Sequence, residues 1–110
     1  MPAYLIALNR RTFDRKKLEA YWDATGPTLE GRGAAPLSFY KPIAPLESTG
    51  TLDGVVLLEF PDMAAAKAWY ESEAYQEAKK LRDGAADTEL FIVDGGMAPP
   101  DERLAHLKDR

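Results

Sequence analysis

The chain has 110 residues, a formal net charge of −4 and no cysteine, and 45% of its residues are hydrophobic. This length and composition are typical of a single globular domain with a core of its own. Acidic residues are spread along the chain and basic clusters are short, so no nucleic-acid partner is expected, because binding to phosphates normally requires a basic face. Without cysteine, the chain has no disulfide, thiol nucleophile or thiolate metal site.

Other common signatures of cofactor and catalytic sites are missing as well. The single histidine, His106, lies in a polar C-terminal segment, which argues against a histidine-based metal site or a catalytic triad. The sequence contains no glycine-rich nucleotide-binding motif. It has neither an apolar run of the ~20 residues that span a bilayer nor a basic segment before the N-terminal apolar run. We therefore expect no metal, no cofactor, no membrane association and a cytoplasmic location.

The first half of the chain predicts strand, helix, strand and strand. Residues 3–9 and 55–60 are apolar on both alternating faces, as in strands that are covered on both sides. Asp14 is a suitable N-cap for the helix between them. A further strand near residues 37–43 is restricted to a sheet edge by its neighbouring prolines.

The second half predicts helix, strand and a tail. Asp62 caps a helix that faces inward with Trp69, and Ser72 begins a second helical segment in which alanines and Leu81 recur at helical spacing. Gly84 is a natural stop for that segment. The last strand is "TELFIVDG", and a short helix is expected from Asp101 onward.

The order β-α-β-β-α-β predicts an α+β fold with a ferredoxin-like antiparallel sheet and both helices on one face. The two doubly apolar strands occupy its centre. We expect residues 1–96 to form this domain and residues 97–110 to form a C-terminal tail with a short helix.

The other face of that sheet would carry many large apolar side chains. Burying one of them is worth roughly 1.5–3 kcal/mol, and an apolar patch of this size normally marks an interface. The sequence therefore predicts a homodimer in which two sheets face each other. The alternative is that the tail folds across this face, although Leu104 and Leu107 are few for that purpose.

Several segments together resemble a known family. They are "EFPDMAAAKAWYESEAYQEAKKLRDGAA", "ELFIVDG", "AYLIA" and a helix that holds "YW" and "GP". Over roughly residues 3–95 the chain resembles the domain of unknown function 1330 family, within the dimeric α+β barrel superfamily. The resemblance implies a ferredoxin-like fold and a two-fold dimer, and it implies no established reaction. The sequence departs from the family pattern at "GRGAAPLSFYKPIAP", which has extra prolines.

The candidate catalytic residues are Glu59 and Arg82. Glu59 interrupts an apolar strand and would be a carboxylate facing a cavity, or else a residue that faces solvent or pairs with a cation. Arg82 follows Tyr75 by seven residues, so the two lie at nearly the same angle around a helix. They could form one wall of an anion-binding cleft, or Arg82 could serve only the helix dipole or an acidic neighbour.

Further ligand-binding candidates are Asn9, Trp22 and Tyr70. Asn9 ends the first strand, at a possible cavity mouth. Trp22 faces the sheet or a cleft between helix and sheet. Tyr70 adjoins Trp69, so both cannot face inward, and Tyr70 is the one placed at the rim of a pocket or a dimer contact.

Two functions are open at this point. The resemblance implies a first function, because relatives in the superfamily bind small aromatic or polyketide-like compounds. Some of these relatives act as cofactor-free monooxygenases or isomerases. This implies binding or transformation of a small organic molecule in a cleft between sheet and helices, without metal or nucleotide. The alternative is a non-catalytic dimeric module for binding or structure, with a filled core and with Glu59 paired to a cation.

Overall fold

The computed structural model describes residues 1–48 and 50–107. Its elements, in chain order, are β1 (Ala3–Thr12), α1 (Arg15–Thr28), β2 (Ala35–Phe39), β3 (Gly54–Phe60), α2 (Met63–Glu71), α3 (Glu73–Lys79), a short 3₁₀ turn (Lys80–Arg82) and β4 (Ala86–Asp94).

The four strands form one antiparallel sheet in the order β2-β3-β1-β4. The doubly apolar strands β1 and β3 are central, and the proline-containing β2 is an edge strand, as predicted. The element order and this strand order together are those of the ferredoxin-like α+β fold, which confirms the predicted fold class.

Each helix begins at the cap that the sequence indicates. The side chains of Asp14, Asp62 and Ser72 each accept a hydrogen bond from the backbone N–H three residues later, at 3.1, 2.8 and 3.2 Å. Such caps satisfy N–H groups that have no partner within the helix. They fix where α1, α2 and α3 begin and therefore which side chains the helices direct at the sheet.

The core lies between one face of the sheet and the helices. Leu5, Leu58 and Phe60 contribute from the sheet, and Trp69 and Tyr75 are fully buried beneath α2 and α3. Within α3 the buried side chains are Tyr75 and Ala78. Leu81, which recurs with the alanines at helical spacing, lies in the 3₁₀ turn after α3 and is 42% exposed. Helical spacing is compatible with either Tyr75 or Leu81 facing inward with Ala78, and the structure buries the ring of Tyr75.

The connection after β2 departs from a regular hairpin. β2 has a register irregularity between Pro36 and Ser38 and ends at Phe39, so Ile43 lies outside the strand. Tyr40 follows with a φ of 50°, in the left-handed region that side chains other than glycine rarely adopt. The backbone N–H of Tyr40 still donates to the carbonyl oxygen of Val55, at 3.0 Å, which holds this residue against β3.

The tail, as far as residue 107, forms turns from Pro100 to His106, and the short helix predicted there is not formed. Leu104 has a φ of 61°, which a helix cannot continue through, and its side chain is largely exposed. Phe91 and Val93, on the face of the sheet away from the helices, are 48% and 46% exposed. The described part of the tail therefore leaves those two side chains accessible.

Candidate functional site

A cavity of about 230 Å³ lies between α1 and the helix-facing side of the sheet. Apolar side chains make up most of its wall. The sheet contributes Leu5, Ala7, Val56, Leu58 and Leu90, and α1 contributes Leu18, Tyr21, Trp22, Thr25 and Leu29. The small residues Ala7 and Gly26 also border this space, so α1 and the sheet pack without filling it.

Asn9 places a buried polar group in the cavity wall. Its side chain continues the inward row of β1 that includes Leu5 and Ala7, and the residue is 2% exposed. Nδ2 donates to Thr12 Oγ1 at 2.9 Å and to the Tyr40 hydroxyl at 3.2 Å. Oδ1 has no hydrogen-bond partner among the described residues. A buried acceptor without a partner costs about 1–3 kcal/mol, so this oxygen is suited to receive a donor from a ligand.

Thr25 presents a similar feature on the opposite wall, in α1. Its hydroxyl oxygen is buried and also lacks a partner within the described part of the chain. Two polar atoms without hydrogen-bond partners therefore lie in the wall of one cavity that is otherwise mainly apolar. This combination is typical of small-molecule sites, in which a few polar groups fix the orientation of a ligand.

Trp22, Phe39 and Tyr40 close one side of the cavity as an aromatic cluster. Their ring centroids are 4.7–5.2 Å apart. All three rings also line a neighbouring outer groove, so they form the wall between that groove and the cavity. The Tyr40 ring lies against Gly54, where an added Cβ would overlap it.

The position of Tyr40 in this wall changes the pKa of its hydroxyl. Burial raises the pKa of its hydroxyl above the usual value, and the hydrogen bond from Asn9 acts in the opposite direction. Tyr40 also has a positive φ, and its ring occupies the space that a side chain at residue 54 would need. The surrounding structure therefore holds Tyr40 in an uncommon conformation, as is frequent at ligand sites.

Arg82 contributes a positive charge to the cavity wall. Its Nη1 donates to the hydroxyl oxygens of Tyr21 and Tyr75, at 3.2 and 3.4 Å, and the two hydroxyls are 2.9 Å apart. The guanidinium also lies over the Tyr21 ring, 5.0 Å from its centroid. Among the described residues no carboxylate lies within 4.0 Å of it, so the charge is not neutralised by an ion pair there.

The structure brings three of the six predicted ligand-binding residues to this cavity: Asn9, Trp22 and Arg82. Tyr75 is fully buried behind the wall, where it supports Arg82 and Tyr21. Arg82, in the 3₁₀ turn after α3, contacts Tyr75 through the hydrogen bond from its Nη1 to the Tyr75 hydroxyl.

The other two predicted residues lie elsewhere. Glu59 pairs with Tyr4 across the central strands and lies on the face away from the helices, because side chains alternate along a strand and its neighbours Leu58 and Phe60 face the core. Tyr70 is half-buried, accepts a hydrogen bond from Lys79 Nζ at 3.1 Å and borders a separate pocket beside β4.

Sequence reasoning did not single out Tyr21, Thr25 or Tyr40 as site residues. Tyr21 and Thr25 follow the apolar Leu18 at helical spacing, so a polar group on an inward stripe of α1 was the available signal. For Tyr40 no periodic pattern applies, because it follows an irregular edge strand. Residues 1–48 and 50–107 contain no group of three or more His, Asp or Glu placed to hold a metal ion.

Over residues 2–96 the chain matches the family described as Domain of unknown function (DUF1330). The protein belongs to this family. No curated protein matches the DUF1330 chain, and no helix in its described part is long and apolar enough to cross a bilayer.

Solved structures of similar fold include proteins from several bacteria. A protein of unknown function from Rhodopseudomonas palustris is 22% identical, with a TM-score of 0.65 over 88% of this chain and 84% of that one. A dimeric ferredoxin-like protein of unknown function from Thermobifida fusca is 15% identical, with a TM-score of 0.63 over 86% and 92% of the two chains. These likenesses confirm the ferredoxin-like fold of the DUF1330 chain.

A third structure has a described activity. SnoaB from Streptomyces nogalater, a cofactor-independent oxygenase, is 8% identical, with a TM-score of 0.59 over 90% of this chain and 97% of that one. At this level of identity the likeness concerns the fold alone.

Proposed function

We propose that this DUF1330 protein binds a small organic molecule in the cavity between α1 and the sheet. The observation that carries the proposal is a largely apolar cavity with the buried, unpartnered Asn9 Oδ1 in its wall. Apolar walls provide binding energy through burial of the ligand, and a few fixed polar groups provide orientation. No metal or nucleotide is needed for such binding.

The size of the cavity limits the ligand. Its volume of about 230 Å³ lies below the ~300–1,000 Å³ that is usual for drug-sized ligands. The ligand is therefore a compact molecule, such as a one-ring compound with one or two polar substituents.

The alternative, a non-catalytic module with a filled core, is less well supported. It predicts that Glu59 pairs with a cation, and no Lys or Arg nitrogen of the described residues lies within 4.0 Å of the Glu59 carboxylate. It also predicts no space beneath α1, where the cavity lies.

A cavity-filling substitution tests the proposal. Ala7 lies in the cavity floor, so Ala7→Leu occupies part of the space a ligand would use. Ala68 is exposed on α2, and Ala68→Leu makes the same chemical change outside the cavity. In a thermal-shift screen of small aromatic and alicyclic compounds, we expect stabilisation of the wild type and of Ala68→Leu, and at least a tenfold loss of affinity in Ala7→Leu. Ligand shifts that survive Ala7→Leu unchanged would place the binding site elsewhere.

We also propose that the protein forms a homodimer through facing sheets. The face away from the helices carries a row of apolar side chains from the central strands and β4: Tyr4, Ile6, Leu8, Val55, Leu57, Phe91 and Val93. An exposed apolar face of this kind is typical of an interface. The similar structure from Thermobifida fusca is described as dimeric, which supports the proposal by analogy of fold.

Sedimentation velocity tests the dimer. The wild type is expected at about twice the chain mass of 12.2 kDa. Phe91→Asp adds a charge to the apolar face of the proposed interface and is expected to give the monomer. Because the Phe91 side chain is already half exposed in one protomer, its replacement should leave the circular dichroism spectrum unchanged. A wild type that remains monomeric at tens of micromolar would contradict this proposal.

A further inference from the structure

The Tyr21–Tyr75 pair carries one more hydroxyl hydrogen than the pair itself uses. The two hydroxyl oxygens are 2.9 Å apart and share one hydrogen bond. Arg82 Nη1 donates to both oxygens, and a guanidinium can only donate. Each hydroxyl has one hydrogen, and the bond between them uses one of the two. Neither hydroxyl donates to any further acceptor among the described residues.

The second hydrogen is available to the cavity through Tyr21. Tyr75 is fully buried and does not border the cavity, whereas Tyr21 does. Burial, together with the neighbouring Tyr21, raises the pKa of the Tyr75 hydroxyl far above its usual value, so Tyr75 keeps its proton at neutral pH. When Tyr75 donates to Tyr21, the Tyr21 hydroxyl is left as a donor. Its oxygen then accepts from both Tyr75 and Arg82, and such chains strengthen the remaining donor.

Arg82 adds charge at the same place. Its guanidinium has five N–H groups, and the hydrogen bonds recorded for the described residues use only Nη1, at the long distances of 3.2 and 3.4 Å. Arg82 also borders the cavity. A cation with free donors beside the Tyr21 hydroxyl favours an anionic oxygen, because guanidinium and carboxylate match in geometry and charge.

Tyr21 and Arg82 require a hydrogen-bond acceptor on the ligand, whereas Asn9 requires a donor. Its Oδ1 is a buried acceptor in the cavity wall, and both hydrogens of its amide nitrogen have partners in Thr12 and Tyr40. A ligand satisfies Asn9 only by donating a hydrogen bond. The rings of Tyr21, Trp22, Phe39 and Trp69 also border the cavity, and aromatic rings pack well edge-to-face or offset against another ring.

We propose that the ligand is a small hydroxyaromatic acid. Its carboxylate accepts hydrogen bonds from Tyr21 and Arg82, its ring lies among the aromatic side chains, and its hydroxyl donates to Asn9 Oδ1. This inference rests on the proposed function, since it assigns a ligand class to the same cavity.

Four related compounds separate the two polar contacts from simple apolar binding. Toluene carries neither polar group, benzoate carries the acceptor, p-cresol carries the hydroxyl and 4-hydroxybenzoate carries both. A hydrogen bond involving a charged group is worth about 1.5–3 kcal/mol, and 1.4 kcal/mol corresponds to a factor of ten in affinity. By titration calorimetry, benzoate is expected to bind at least tenfold more tightly than toluene, and 4-hydroxybenzoate severalfold more tightly than benzoate.

Variants assign each contact. Tyr21→Phe keeps the ring and removes the donor, so it should weaken benzoate about tenfold and leave toluene within twofold. Asn9→Leu should remove the advantage of 4-hydroxybenzoate over benzoate. Because Asn9→Leu also breaks the contacts to Thr12 and Tyr40 and could unfold the protein, the four-compound comparison in the wild type stands as an independent measurement of the hydroxyl contact. Tyr70→Phe, which removes a hydroxyl outside the cavity, is the matched control and should change none of the four affinities.

The outcomes distinguish this inference from the proposed function. If toluene binds as tightly as 4-hydroxybenzoate and Ala7→Leu abolishes both, the cavity binds ligands but the hydroxyaromatic-acid class is wrong. The class is also wrong if Tyr21→Phe weakens all four compounds equally. If none of the four binds, the class is again wrong, and the broader screen with Ala7→Leu and Ala68→Leu decides whether the cavity binds any ligand.

Discussion

Asn9 occupies the last inward position of β1 before the strand becomes irregular. Leu5 and Ala7 precede it on the same face, and the pairing of β1 with β4 shifts register between Asn9 and Arg11. A polar side chain at this place enters the cavity while the strand end supplies its partner Thr12. The sequence indicated Asn9 because it ends an apolar run. It did not indicate that Oδ1 would lack a partner, since the orientation of the amide depends on the hydrogen bond from Nδ2 to the distant Tyr40 hydroxyl.

Glu59 shows the limit of strand reasoning at the same scale. The segment around it is apolar on both faces, so alternation predicts that Glu59 faces away from Leu58 and Phe60 but not which face meets the helices. Only the placement of α1 and α2 decides that. In the proposed dimer Glu59 lies on the interface side of the sheet, away from the cavity.

The hydroxyl of Tyr75 provides a prediction for stability. Tyr75→Phe removes the hydrogen bonds to Tyr21 and Arg82 and is expected to lower the free energy of unfolding by about 1–3 kcal/mol at pH 7. The native pKa of Tyr75 is raised from 10.0, so above pH 10 the unfolded chain loses this proton while the folded chain keeps it. Wild-type stability therefore falls as the pH rises above 10, by an amount on the order of 1 kcal/mol per pH unit that the variant does not lose.

Urea unfolding of both proteins at pH 7 and pH 11 measures this effect. The stability difference between wild type and Tyr75→Phe should shrink at the higher pH, since other groups that titrate are common to both. A difference that stays constant between the two pH values would show that the Tyr75 hydroxyl ionises normally in the folded protein.

At the scale of elements, the caps and the order of strands and helices were predictable because each depends on local sequence. Asp14, Asp62 and Ser72 act within three residues of themselves. The connection from β2 to β3 was not predictable in this way. Its conformation depends on Tyr40, which packs on Trp22 from α1 and on Gly54 from β3, and neither contact leaves a periodic signal.

Gly54 is where that connection meets the sheet. Gly54→Ala places a methyl group into the space of the Tyr40 ring, so we expect the ring to move and the Asn9–Tyr40 hydrogen bond to break. Overpacking of this kind costs typically 1–3 kcal/mol, and ligand affinity should fall with it. Gly50→Ala is the control, because a Cβ there meets no atom within 4 Å. Equal ligand affinity in both variants and the wild type would show that Tyr40 is not part of the binding wall.

At the scale of the whole molecule, the two faces of the sheet have different roles. Its helix-facing side holds the core and the cavity, and its other side holds the apolar row of the proposed dimer. Sequence reasoning could predict that both faces of the sheet are apolar, because the central strands β1 and β3 are apolar on both alternating faces. It could not predict the volume or the lining of the cavity, since empty space depends on which small residues of two elements, such as Ala7 of β1 and Gly26 of α1, come to border it.

A crystal structure with bound ligand tests the central claim most directly. Crystals would be soaked with the compound that gives the largest thermal shift in the wild type and none in Ala7→Leu. The account predicts electron density between α1 and the sheet, within hydrogen-bond distance of Asn9 Oδ1 and in contact with Arg82. Density for that compound on the opposite face of the sheet, beside Glu59, would contradict the account.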